Sequence, residues 1–125
     1  PVYYVQYAHA RLCSLFSMAE KQGMKLNEPG EVSRDPLVEP AEMILLRQME
    51  TYPYVVRESA RTRAPHHLTH YMMELASCFH SFYNYHRILG VEKSLSKARL
   101  VLCLALQGVL RNCALLLGVS LPEKM

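Results

Sequence analysis

Residues 94–118 read SLSKARLVLCLALQGVLRNCALLLG, and this stretch decides the fold class. Leu100, Val101, Leu104, Leu106, Val109, Leu110, Ala114 and Leu117 cover more than one face of a helix. A helix that apolar is expected to be central, surrounded by the others. Ser94 or Ser96 can cap its start, and Gly118 can end it.

Upstream of this stretch the same 3.6-residue period recurs. Pro65 opens a helix to about Leu89, with a buried stripe of Leu68, Met72, Leu75, Ala76, Phe79 and Phe82, and Gly90 stops it. Pro53 lacks an amide proton, so a new or kinked helix begins there and carries Val55, Val56 and Ala60. A helix from near Pro40 to Thr51 buries Met43, Ile44, Leu46 and Met49. The first helix runs from about Pro1 to Gln22, with Val5, Ala8, Leu12, Leu15, Phe16 and Ala19 inward and Gly23 as its left-handed cap. Residues 24–38, with Asn27, Pro29, Gly30, Ser33, Asp35 and Pro36, form the one long loop. Strand-like alternation is nearly absent. The sequence predicts an all-α bundle of about five helices.

The chain has 125 residues, half of them apolar, which suits a single domain with a sizeable core. It begins at Pro1 rather than Met, as a piece of something longer would. Arg, Gln, Glu or His interrupts the apolar stretches, so none is expected to reach the ~18 residues that span a bilayer. No charged-then-apolar leader opens it. Cys13, Cys78, Cys103 and Cys113 form no CxxC pair and sit in apolar helical patterns, which suits reduced thiols in a cytoplasmic protein; a disulfide is the alternative. The net charge of +3 is skewed. Residues 1–56 carry five Lys/Arg against seven Asp/Glu, and residues 57–125 carry nine against four. A polyanionic partner is permitted on the C-terminal side.

His66 and His70 lie four apart on one helical face, with His67 between them and Glu74 one turn later. Two imidazoles at that spacing can chelate zinc, but a stable site needs further ligands. Solvated histidines in a first helical turn are the plainer reading, so no metal is expected. There is no GxSxG, Walker loop, dinucleotide glycine pattern or HExxH. The chain by itself carries no catalytic residue.

The aromatics are more informative. Tyr3, Tyr4 and Tyr7 crowd the first helix, and Phe82, Tyr83 and Tyr85 the end of the fourth, among His9, Arg11, His86 and Arg87. Flat faces beside positive charge suit stacking on unpaired bases, with cations for the backbone. Half-buried packing residues are the ordinary reading of such tyrosines. A helical protein-interaction module whose basic side binds an acidic partner is the competing function.

The first eleven residues, PVYYVQYAHAR, resemble the segment with which arginyl-tRNA synthetases enter their C-terminal helical domain. Three further blocks are similar to the same family in the same order. They are Pro65-His66 leading into Leu75-Ala76 and Phe82-Tyr83; Ala98-Arg99-Leu100; and Val109-Leu110-Arg111-Asn112 through Leu116-Leu117-Gly118 to Pro122-Glu123-Lys124-Met125. The resemblance spans residues 1–125 as one all-α anticodon-binding domain, named after an Asp-Ala-Leu-Arg (DALR) motif. It implies a full-length class I arginine–tRNA ligase that uses ATP and Mg in a catalytic domain. The His-Ile-Gly-His-like and Lys-Met-Ser-Lys-Ser-like motifs of that domain are absent here. The implied partners are tRNA-Arg and the catalytic domain of the same chain, in a cytoplasmic monomer with no membrane contact.

The resemblance also nominates Tyr4, Ala8, Tyr83 and Met125 as contacts to anticodon-loop bases, with Arg11, Arg87 and Arg99 as phosphate contacts. Tyrosine faces would stack, a small Ala would admit a base, and a thioether would close the side. Arg99 could equally be a structural ion-pair residue. Two departures stand out. Lys97 and Ala98 precede Arg99 where the motif expects an acid and Ala, and Cys113 follows Asn112 where Gly is common.

Overall fold

The computed structural model describes residues 2–25 and 32–125. The expected helix start at Pro1 and the loop positions Asn27, Pro29 and Gly30 lie outside them. Five helices follow in order: α1 Val2–Lys21, α2 Pro40–Glu50, α3 Tyr52–Arg61, α4 His66–Tyr85 and α5 Lys93–Leu117. Among the described residues there is no strand.

Val5, Ala8, Leu12, Leu15 and Ala19 are buried along one side of α1, as their spacing requires, while Phe16 is only half-buried. The helix ends as expected at Gly23 (φ 79°), and the Met24 amide donates back to the Ala19 carbonyl at 3.0 Å. All six expected α4 core residues are buried, joined by Tyr71. Tyr71 donates its hydroxyl proton to the Gln48 carbonyl, tying α4 to the end of α2.

In α2 the expected stripe is rotated. Leu45 and Glu42 are buried, and Ile44 is 51% exposed. Glu42 sets the phase. Its carboxylate accepts from the Glu39 amide at 2.9 Å in a capping box and pairs with Arg99 on α5. Positions 42, 45 and 49 then face inward together, and 44 falls on the far side. Beyond Thr51, α3 starts with Pro53 in its first turn and buries no residue completely. Ala60, expected inside, is exposed.

The C-terminal half departs from expectation in three ways. First, α4 stops at Tyr85 instead of Leu89, because His86 turns extended (φ −131°, ψ 132°) and Ile88 tucks into the core. Second, the cap of α5 is Glu92, whose carboxylate accepts from the Ser94 and Leu95 amides. Ser96 is buried and donates to the Ile88 carbonyl at 2.6 Å. Third, α4 and not α5 is the element that packs on all four others. α5 packs on α1, α2 and α4 and leaves Leu115 and Leu116 exposed near its C-terminus.

By length and composition α5 could cross a membrane, with a mean hydropathy of 2.0 over 18 residues, contrary to the expectation that no stretch would qualify. Its buried Ser96, Arg99 and Gln107 all hydrogen-bond within the bundle, which marks it as a core helix. The four cysteines are free thiols. Burial pushes Cys103 up to about 12 and Cys113 up to about 11, so both stay protonated.

Candidate nucleic-acid interface

Two turns separate Tyr4 from Arg11, so both project from one side of α1, and that side meets α4. On α4, His80 and Tyr83 stand three apart on the facing side. The Tyr4 and His80 rings lie 4.6 Å apart between centroids, and the Arg11 guanidinium sits 4.6 Å over the Tyr83 ring. Tyr83 also packs at a tilt against buried Phe79, with centroids 5.7 Å apart. Tyr4 and Tyr83 remain more than a third exposed, so each ring presents surface to solvent while its base is held.

His80 joins these groups. Arg11 Nη1 donates to His80 Nδ1 at 3.0 Å, leaving the Nε2 proton for the Tyr4 carbonyl at 3.1 Å. By their place among the tyrosines the sequence marks His9 and His86 rather than His80. The available signal was its place one turn before Tyr83 within Phe79-His80-Ser81-Phe82-Tyr83.

Beside Tyr83 a groove of about 480 Å³ runs between α1 and the α4–α5 turn. Leu15 and Met18 supply its apolar wall, and Tyr83, His86, Arg87 and Gly90 its other side. Arg87 is exposed, its side chain free to meet an anion. The arrangement offers stacking faces, an apolar slot and two cations within one surface.

Other nominated residues fall elsewhere. Ala8 is completely buried in the core and presents no surface to a base. Arg99 is also buried: its Nε donates to Glu42 Oε2 at 2.8 Å and its Nη1 donates to the Arg87 carbonyl. It is an ion-pair residue and reaches no phosphate. His9 is buried rather than a surface cation. It accepts from Arg111 Nε at 3.1 Å and so donates from Nδ1 to the Pro122 carbonyl, also at 3.1 Å. Gln6 donates to the Ser120 carbonyl at 2.9 Å. These two bonds tie the C-terminal tail to α1 on a side turned roughly 140–160° from Tyr4, at 3.6 residues per turn. Met125 ends that tail, 53% exposed, and no ring or hydrogen-bond contact joins it to Tyr4 or Tyr83.

The histidine cluster lies apart, at the start of α4. The His66 and His67 rings are 4.3 Å apart, and with His70 and Glu74 they line a cleft of about 730 Å³ against α3. Among the described residues, no three His, Cys, Asp or Glu side chains come close enough to hold a metal ion.

The family model described as DALR anticodon binding domain matches residues 5–125. The chain belongs to that family. As a DALR domain it is 50% identical over 125 residues to an arginine–tRNA ligase of Carboxydothermus hydrogenoformans, covering 100% of this chain and 22% of that protein. It is 47% identical over 125 residues to the enzyme of the same description from Syntrophotalea carbinolica, covering 100% of this chain and 23% of that protein. Among solved structures it resembles the arginyl-tRNA synthetase of Thermus thermophilus, with a TM-score of 0.81 and 31% identity, over 98% of this chain and 21% of that one. The DALR chain thus spans about a fifth of the length of the relatives it matches. In this DALR domain, Arg99 follows Lys97 and Ala98, and the acid it pairs with comes from α2 as Glu42.

Proposed function

We propose that residues 1–125 are one anticodon-binding domain of a longer arginine–tRNA ligase, a class I aminoacyl-tRNA synthetase, and bind the anticodon stem-loop of tRNA-Arg. The observation that carries this reading is the Arg11–Tyr83 stack beside the groove between α1 and the α4–α5 turn. A base entering the groove meets the Tyr83 ring, while Arg11 and Arg87 draw the backbone. Tyr4 adds a second aromatic face on the same side. Met125 closes the set only if the tail carries it around α1 when RNA binds.

Catalysis belongs to the rest of the protein. The catalytic domain of such a ligase would hold the ATP and Mg that its activity requires. The whole enzyme would be a cytoplasmic monomer whose catalytic domain charges the tRNA held here.

The test is a gel-shift comparison of a tRNA-Arg transcript with an unrelated tRNA over a range of salt. Binding should favour tRNA-Arg, with a log–log salt slope of about −2 to −5 from a few displaced counterions. Equal, salt-independent binding to both would sink the reading. Absence of RNA binding would favour the protein-interaction module.

A further inference from the structure

We propose that His80 is the positioning residue of the RNA-binding surface, holding Arg11 over the Tyr83 ring and fixing Tyr4 beside it, and that protonation of His80 dismantles this arrangement. The proposal rests on the tRNA-binding reading above and adds a residue and a pH dependence to it.

The geometry allows little freedom. One imidazole engages both α1 residues of the cluster, through Nδ1 to Arg11 and Nε2 to the Tyr4 backbone, and its ring packs against that of Tyr4. Arg11 has two partners, His80 Nδ1 and the Tyr83 face. Arg11 covers the Tyr83 ring, and Tyr83 but not Arg11 lines the groove where a base would enter. A guanidinium hydrogen-bonded to an acceptor keeps its plane; released, it regains the rotamer freedom of a long side chain.

Protonation acts on the same atom. A proton added to His80 goes to Nδ1, the nitrogen that accepts from Arg11, so donor then faces donor and charge faces charge. The groups that face His80 are Arg11 and Tyr4 on α1, with Phe79 on its own helix. No carboxylate among the described residues forms an ion pair with it. Burial pushes His80 below the ordinary value of 6.5, and the Arg11 charge pushes the same way, against the bond to the Tyr4 carbonyl. The neutral ring is therefore the form present near neutral pH, and protonation requires acid below the ordinary histidine range.

The experiment compares wild type, His80→Gln and His80→Ala. Glutamine can accept from Arg11 and donate to Tyr4 without titrating. Affinity for a labelled tRNA-Arg anticodon stem-loop is measured at constant ionic strength from about pH 8 to about pH 5. Near pH 8, His80→Gln should bind within about threefold of wild type, since both hydrogen bonds can be kept. His80→Ala should bind about tenfold weaker or worse, the scale of one lost stacking platform. The ratio of wild-type to His80→Gln dissociation constants cancels the other histidines. It should rise as pH falls. A flat ratio overturns the proposal, as does a falling one, which would mean that cationic His80 meets a phosphate itself.

A second measurement needs no RNA. The Arg11 side-chain protons should be shifted upfield by the Tyr83 ring, and that shift should vanish with the same midpoint as the His80 ring titration. In His80→Gln it should persist across the range. An Arg11 signal indifferent to His80 titration overturns the proposal even if tRNA binds. If wild type binds no tRNA, the functional reading fails, and the Arg11 signal still decides whether His80 holds it.

Discussion

Arg99 Nε lies 2.8 Å from Glu42 Oε2, with side chains 7% and 0% exposed, and the pair joins α5 to the capped start of α2. Arg99 also sits 5.7 Å from the Phe82 ring and donates to the Arg87 carbonyl in the α4–α5 turn. One guanidinium thus ties three elements and supports the backbone that presents Arg87 to the groove.

Removing either partner of that pair should be costly. Arg99→Ala leaves the Glu42 carboxylate buried and unpaired, and should destabilise the fold by about 3–5 kcal/mol in denaturant titration. A phosphate contact behaves otherwise: its loss would lower the salt slope of tRNA binding by about 1. The folded fraction of the Arg99→Ala protein should keep the wild-type slope. A reduced slope with unchanged stability would return Arg99 to the RNA surface.

Tyr83 is half in each world, packed on Phe79 yet exposed to the groove. Tyr83→Ala should weaken tRNA-Arg binding by about 1–3 kcal/mol. Tyr83→Phe retains the ring and should keep the melting temperature and most of the binding. Equal losses in both variants would mean that the hydroxyl, not the aromatic face, is recognised.

Met125 separates two roles of the tail. Its neighbours Ser120 and Pro122 are tied to Gln6 and His9, but Met125 itself is half exposed and outside the core. Deleting it should leave the melting temperature unchanged within about a degree, since an exposed terminal side chain contributes a few tenths of a kcal/mol at most. Anticodon stem-loop binding should nevertheless fall. Unchanged binding removes Met125 from the interface and leaves Tyr4, Tyr83 and Arg11 as its core.

The depressed titration of His80 also reaches stability. The folded state holds its proton less tightly than the unfolded chain, whose value is near 6.5. The stabilisation is therefore complete above that value and is lost as pH falls through the lower folded value. Denaturation midpoints should drop between neutral and mildly acidic buffer, and His80→Gln should drop less. An equal drop in both would assign the acid sensitivity to another group.

Periodicity along the chain determined the helices and most of their inward faces. Leu68, Met72, Leu75, Ala76, Phe79 and Phe82 could be placed in the core because every one of them repeats the 3.6-residue spacing. The helix stops at Gly23 and Gly118 were equally readable, since a left-handed cap favours a residue without a Cβ. The family resemblance, carried by PVYYVQYAHAR and the Pro-Glu-Lys-Met end, also lay wholly in residue order.

Pairings between distant residues were another matter. Nothing local distinguishes Arg99 from Arg87, yet one is buried against Glu42, 57 residues away, and the other faces solvent. Nor does local order reveal that Glu42 turns inward and rotates Ile44 out. His80 and Arg11 are 69 residues apart and meet only because α1 packs on α4. Hydrophobic spacing specifies which face of each helix goes inward to within a residue or so. Which polar group that face then brings against its neighbour depends on rotational phase and axial offset, and the packed bundle alone sets those.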